Sequence, residues 1–107
     1  MDKETQEKIG QLQMIEQGMQ SFMMQKQQFR AQLMEVESAL KELEGTEEAF
    51  KIVGTIMIKA EKKDLVKELD EKKERLSLRI KSIETQENKL KEKSASMQKE
   101  VMKQLKE

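Results

Sequence analysis

The sequence predicts a mainly α-helical protein: a long antiparallel coiled-coil helical hairpin with a short β-hairpin at the bend. Only 36% of the 107 residues are hydrophobic and 39% are charged, which is too little apolar surface for the core of a compact globule. Balanced charge and the absence of proline argue against disorder. Leucine, isoleucine and methionine recur at heptad spacing on both sides of a short β-branched segment, as in a coiled coil.

The first helix is predicted over about residues 5–45, where a heptad repeat can be counted. Its a positions are Leu12, Met19, Lys26, Leu33 and Leu40, and its d positions are Ile15, Phe22, Phe29, Val36 and Leu43. Nine of these ten residues are apolar, which is a strong signal for a coiled-coil seam. The exception, Lys26, is a single polar a residue of the kind that fixes register at a cost in stability. Gly45 favours a helix end soon after the last d residue.

The segment of about residues 46–61 is predicted to form a β-hairpin. It is rich in β-branched side chains, and Gly54 and Thr55 divide it into two short arms. A continuous helix or a disordered loop is the alternative, but that density of apolar side chains disfavours an exposed loop. Because a lone two-stranded hairpin is unstable in water, we expect hairpins from several chains to assemble into an oligomeric barrel platform. The predicted oligomerisation residues are Phe50, Ile52, Val53, Ile56 and Ile58.

The second helix is predicted over about residues 62–106, with a thinner seam. Its d positions are all apolar, namely Leu69, Leu76, Ile83, Leu90 and Met97, whereas its a positions are mixed. Such a helix needs an apolar partner, and the first helix supplies one. If the chain folds back at Gly54, residue i lies opposite roughly residue 107 minus i. On that register Val101 and Leu105 would face polar residues and would lack a partner within the chain.

Apolar residues outside the seam predict a binding surface. Met14, Met24 and Met102 fall at c, f and b positions, and Ile9 and Met23 at e positions. Methionine is unbranched and adaptable, so an exposed set can bind many unlike apolar partners. The predicted client-binding residues are Ile9, Met14, Met23, Met24, Val101, Met102 and Leu105. The alternative is that these are ordinary surface residues, since single exposed methionines are common.

The composition also excludes several classes of function. Without cysteine or histidine there is no disulfide, no imidazole base and no zinc site of the usual ligand types. We therefore expect no catalytic residue, no metal, no cofactor and no enzyme activity. The 21 basic and 21 acidic residues form no long basic face, so no nucleic-acid partner is expected. No apolar stretch is long enough to span a membrane, and a cytoplasmic location is expected.

The order of the elements resembles the beta-type subunits of archaeal prefoldins. The resemblance rests on Glu-Glu-Ala-Phe-Lys-Ile-Val-Gly-Thr-Ile-Met-Ile-Lys at 47–59, Leu-Val-Lys-Glu-Leu at 65–69 and Ile-Lys-Ser-Ile-Glu at 80–84. It covers nearly the whole chain and implies a single prefoldin-like domain over residues 1–107. One departure is Glu61, which stands where a good helix N-cap is expected.

The resemblance implies the assembly and the activity. Prefoldins are hetero-hexamers of two alpha-type and four beta-type subunits, with a β-barrel platform and projecting coiled-coil arms. They are ATP-independent chaperones that hold unfolded client proteins at the arm tips and deliver them to a double-ring (group II) chaperonin. The competing hypothesis is a structural or adaptor coiled coil that joins specific protein partners.

Overall fold

The computed structural model describes residues 2–106, which form two long helices and a two-stranded antiparallel sheet. In chain order these are α1 (Lys3–Glu44), β1 (Ala49–Val53), β2 (Ile56–Ala60) and α2 (Lys62–Lys106). The predicted mainly helical fold with a β-hairpin between the helices is confirmed. The chain divides into two compact units. The terminal unit contains residues 2–27 and 81–106, and the bend unit contains residues 28–80.

In the terminal unit, α1 and α2 pair in antiparallel fashion. Thr5 Oγ1 donates a hydrogen bond to Gln104 Oε1 at 2.7 Å, and Lys8 Nζ lies 3.1 Å from Glu100 Oε2. Both pairs lie within two residues of the predicted register. The seam residues Ile15 and Ile83 are buried farther along the same two helices, so the heptad pattern describes the packing of this unit.

A charged layer interrupts the apolar seam of the terminal unit. Lys26 Nζ donates a hydrogen bond to Glu87 Oε1 at 2.6 Å, and the two side chains are only 19% and 13% exposed. Both residues occupy a positions, so each charge is held in the seam by the other. Because removing one partner would leave a partly buried charge without compensation, this layer favours the register in which the two residues meet.

The first turn of α1 is capped by Asp2. The Thr5 backbone N–H donates to Asp2 Oδ1 at 2.7 Å, and the Gln6 N–H donates to the Asp2 carbonyl at 3.1 Å. The first bond satisfies a donor that has no partner inside a helix, and the second is the first i→i−4 hydrogen bond of α1. The hydrogen bonds from Thr5 also hold the pKa of the Asp2 carboxyl below its usual value, because they favour the charged form.

In the bend unit, burial again follows the heptad count. Val36 and Leu43 of α1 and Leu76 and Ile80 of α2 are buried, and all four occupy a or d positions. The guanidinium of Arg79 lies over the ring of Phe29, 5.5 Å from its centroid, which adds a cation–π contact at the edge of the seam.

The β-hairpin of the bend unit has a two-residue turn. Val53 pairs with Ile56, which leaves Gly54 and Thr55 as the connection. Gly54 has a φ of 63°, and among the described residues no other has a positive φ. A positive φ at the first central position alone matches a type II′ turn, whose twist suits a tight hairpin.

The helix α2 begins at Lys62, directly after Glu61, which is a poor capping residue. The Leu65 N–H donates to the Glu61 carbonyl at 3.0 Å, which is the first hydrogen bond of the helix. Asp64 lies in the first turn, where a carboxylate interacts favourably with the helix dipole.

Candidate functional site

The hairpin carries one of two exposed apolar surfaces. All five predicted oligomerisation residues are exposed in the single chain, with exposed fractions between 47% for Ile58 and 69% for Ile52. Such exposure on a two-stranded sheet is unfavourable in water. The hairpin therefore has the properties of an interface for other protein strands.

The strand register distributes these side chains over both faces of the sheet. Ile52 pairs with Met57, and Val53 pairs with Ile56. Since side chains alternate along a strand, one face carries Phe50, Ile52 and Met57, and the other carries Val53, Ile56 and Ile58. Met57 is 65% exposed and was not among the predicted interface residues. The two-residue turn could have identified it, because that turn sets Met57 opposite Ile52.

The base of the hairpin is held against α2. Lys51 Nζ donates to both carboxylate oxygens of Glu68, at 2.9 and 3.1 Å, and Ala49 is buried. Because both partners of this ion pair are largely exposed, it contributes at most about 1 kcal/mol. Its position nevertheless orients the sheet, because Lys51 belongs to the same face as Val53 and Ile58.

The terminal unit carries the second exposed apolar surface, which includes most of the predicted client-binding residues. Exposed side chains are those of Met14, Met23, Met24, Met102 and Leu105. Ile9 is half-buried. These six residues are all in the terminal unit, and none occupies an a or d position. We call them the terminal apolar surface.

The prediction that Val101 lacks a partner within the chain was wrong. Val101 is only 7% exposed and lies in the seam, so it is not available to a client. The error came from treating polar seam residues as unable to cover an apolar one. Thr5 is itself buried, its hydroxyl satisfied by Gln104, and the charge of Lys8 is met by Glu100. Polar residues whose hydrogen bonds are made can close a seam.

The terminal apolar surface lies mainly on one flank of the paired helices. In an antiparallel pair the e positions of both helices border the same flank. Ile9, Met23 and Leu105 are at e positions, with Met102 at b and Met24 at f beside them. An open cleft on this flank is lined by Ile9, Leu12, Gln13, Glu16, Met19, Ser94 and Gln98. Met14, at a c position, lies on the opposite flank.

The Lys8–Glu100 pair adjoins this surface and raises the pKa of the Lys8 ammonium. The hydrogen bond to Glu100 is the main cause, since it favours the charged form. The charge of Lys8 is therefore retained, and it is already engaged within the chain.

Two further exposed apolar residues lie in the bend unit. Met34 is 68% exposed and Leu78 is 61% exposed. The heptad count could have identified both, because they fall at b and f positions. They provide a comparison for the terminal apolar surface, since they are equally exposed but belong to the other unit.

Within residues 2–106 no helix is long and apolar enough to cross a membrane. Among the same residues, no group of three or more acidic side chains is arranged to hold a metal ion.

Comparison with known proteins gives consistent matches. The sequence profile described as "Prefoldin subunit" matches residues 6–107. Prefoldin subunit beta of Archaeoglobus fulgidus is 40% identical over 98 residues, covering 89% of this chain and 84% of the relative. Prefoldin subunit beta of Thermococcus onnurineus is 40% identical over 93 residues, covering 84% and 80%. The crystal structure of the prefoldin beta subunit from Thermococcus strain KS-1 matches with a TM-score of 0.93 and 34% identity, covering 99% of this chain and 96% of that one.

Proposed function

The chain belongs to the prefoldin subunit family, and from that premise we propose that it is a beta-type subunit of an ATP-independent holdase. The complex binds unfolded polypeptides and delivers them to a double-ring chaperonin. The observation that carries the proposal is the terminal apolar surface, five of whose six side chains stay exposed although buried seam residues lie beside them. Residues 1–107 act as one prefoldin-like domain in the cytoplasm.

The terminal apolar surface suits weak and unselective binding. Four of its six residues are methionines, whose flexible side chains adapt to partners of different shape. Burying part of one such side chain contributes on the order of 1 kcal/mol. One chain would therefore bind a client weakly, and several chains in one assembly would bind it firmly through multivalency.

The hairpin is proposed to join the subunits. Its exposed apolar side chains lie on both faces, so strands from other subunits are needed to cover them. The proposed assembly is the family's hetero-hexamer of two alpha-type and four beta-type subunits. In this arrangement the bend unit supplies the permanent interface, and the terminal unit supplies the reversible one.

The test is suppression of the aggregation of an unrelated denatured protein by the chain assembled with its alpha-type partner. A variant with Met14, Met23, Met24, Met102 and Leu105 replaced by Gln should lose most of the suppression. Its oligomer mass and helical circular dichroism should be unchanged.

The control in the bend unit replaces Met34 and Leu78 with Gln, which removes exposed apolar surface there and should preserve most of the suppression. If the unaltered complex fails to suppress aggregation, the holdase proposal is wrong and an adaptor role is favoured. If the five-residue variant retains full activity, clients are bound elsewhere.

A further inference from the structure

A second cleft of the terminal unit lies on the flank opposite the first one. The cleft is lined by Phe22 of α1 and by Gln86, Lys89, Leu90 and Lys93 of α2. Phe22 and Leu90 are half-buried d residues, and they form the apolar floor of the cleft. The polar members fall at g and c positions, so this is the g flank of the helix pair. We call it the basic cleft.

Gly18 leaves the floor of the basic cleft uncovered. A Cβ added at Gly18 would lie 3.5 Å from Leu90 Cδ1, which is an ordinary van der Waals distance. Glycine is therefore not required there by lack of space, nor by a positive φ. Since glycine weakens a helix interior relative to alanine, the open space above Leu90 needs another explanation.

The two lysines at the cleft have no acidic partner. Among the described residues, no carboxylate lies within 4 Å of the ammonium of Lys89 or Lys93. Two nearby carboxylates of α2 are already paired, Glu87 with Lys26 and Glu100 with Lys8. Glu92 lies between the two lysines in the sequence but forms no ion pair with either, so both ammonium groups are available at the rim of the basic cleft.

The spacing of the two lysines fits a ligand with two carboxylates about the same distance apart. Lys89 and Lys93 are one helical turn apart, about 6 Å along the axis. In an extended polypeptide, side chains at i and i+2 project from the same face about 6.6 Å apart. The long lysine side chains can extend over a segment that lies in the cleft, so two carboxylates at alternate positions can each meet one lysine from the outer face of the segment. The apolar side chain between them then projects from the opposite face, inward onto Phe22 and Leu90.

We propose that the basic cleft binds extended segments of unfolded clients in which an apolar residue is flanked by acidic residues. The inference rests on the proposed holdase function and names a client class for one flank of the terminal unit. The cleft on the opposite flank contains only one charged residue, Glu16, and lacks the lysine pair. The two flanks therefore differ in the client segments that they accept.

The experiment measures the binding of fluorescent peptides to the assembled full-length complex at low ionic strength, by fluorescence anisotropy. Three matched peptides differ only in a central Glu-Phe-Glu, Gln-Phe-Gln or Lys-Phe-Lys. The Glu peptide can form two exposed ion pairs, one with Lys89 and one with Lys93. It should therefore bind roughly three- to tenfold more tightly than the Lys peptide. The preference should fall as salt is added.

Two variants test the lysines. Replacing Lys89 and Lys93 with Gln should abolish the preference while leaving the Gln peptide bound as before. Replacing Lys91 and Lys99 with Gln removes the same charge from the same helix outside the cleft, and should preserve the preference. A preference that survives the first variant, or is lost equally in both, overturns the proposal.

Two glycine variants test the floor. Gly18→Gln should weaken binding of the Glu peptide severalfold, because its side chain covers Leu90. Gly10→Gln adds the same side chain to the same helix where nothing lies within 4 Å of the new Cβ, and should leave binding unchanged. Equal weakening by both variants contradicts the cleft.

The outcomes separate the two proposals. If the unaltered complex binds all three peptides equally, the basic cleft is wrong while the holdase function stands. If it binds none of them and also fails to suppress aggregation, both proposals are wrong.

Discussion

The terminal unit and the bend unit both expose apolar side chains, but the two exposures differ in kind. In the terminal unit the exposed residues lie on helices whose own seam is already filled by others, such as Ile15 and Ile83. In the bend unit all of them except Met34 and Leu78 lie on the two faces of a two-stranded sheet that has no other means of burying them. The helices do not depend on covering the first set, whereas the hairpin depends on covering the second.

Side-chain chemistry follows the same division. The hairpin presents mostly β-branched residues with few rotamers, which suit a single fixed interface. The terminal unit presents mostly methionines, which lose more rotamer entropy when they are fixed but fit many shapes. Exposed apolar area alone does not distinguish permanent assembly from reversible capture. The two kinds of surface are distinguished by the stiffness of the exposed side chains and by the stability of the element that carries them.

The largest expected effect comes from placing a charge on either face of the hairpin. Ile52→Lys and Ile56→Lys, made separately, should each prevent oligomer formation, because a buried unpaired charge costs several kcal/mol. The helical circular dichroism should persist. Sedimentation velocity measures the oligomer, and Thr55→Lys at the turn is the control that should assemble normally. If only one of the two variants dissociates, just one face is covered in the assembly.

The next effect compares two neighbouring residues of the terminal unit. Val101→Ala should lower the free energy of unfolding by about 1 to 3 kcal/mol, because it leaves a cavity in the seam. Met102→Ala should change it by less than about 0.5 kcal/mol, because its side chain is exposed. Thermal unfolding of both variants gives the comparison. Equal destabilisation would mean that Met102 is also part of a permanent interface.

A smaller effect is expected at the charged layer. Lys26→Leu should destabilise the chain by about 1 to 2 kcal/mol, because it leaves Glu87 partly buried without its partner. The double variant Lys26→Leu and Glu87→Leu should recover that loss and melt at or above the temperature of the unaltered chain. A single variant that is more stable than the unaltered chain would mean that the pair costs stability even when formed.

The smallest effect concerns the first turn of α1. The pKa of Asp2 is lowered by its hydrogen bonds with Thr5, so the cap is complete above the carboxyl's ordinary pKa of 3.8 and is lost as the pH falls through the folded-state value. The protection of the Thr5 amide from exchange, relative to its intrinsic rate at each pH, should therefore fall in acid by more than the protection of mid-helix residues. In Asp2→Ala that additional pH dependence should disappear. If the additional pH dependence persists in Asp2→Ala, a titratable group other than the Asp2 carboxyl causes it.

The helices and the hairpin could be predicted from local patterns. The heptads between Leu12 and Leu43 depend on which residues are apolar, and the turn depends on Gly54 at a position that requires a positive φ. Both signals are contained in adjacent residues. For this reason the mainly helical fold with a β-hairpin was predictable without a structure.

The details of pairing were harder to predict, because they depend on contacts between distant residues. Lys26 was identified as the exception in the seam, but its partner Glu87 is 61 residues away. Val101 was assigned to the exposed surface because hydrophobicity alone cannot show that Thr5 and Lys8 have satisfied partners. The two-face arrangement that includes Met57 needed the strand register, which the turn type implies but the apolar pattern does not.

The type II′ turn at Gly54 and Thr55 makes the connection between β1 and β2 as short as a hairpin allows. A two-residue link fixes the register of the two strands, so Ile52 lies opposite Met57 in every copy of the chain. The same apolar side chains therefore share a face of the hairpin in every copy. A longer and more flexible turn would preserve every apolar side chain of the hairpin, yet it would let the strands pair in other registers and would change which of these side chains lie together.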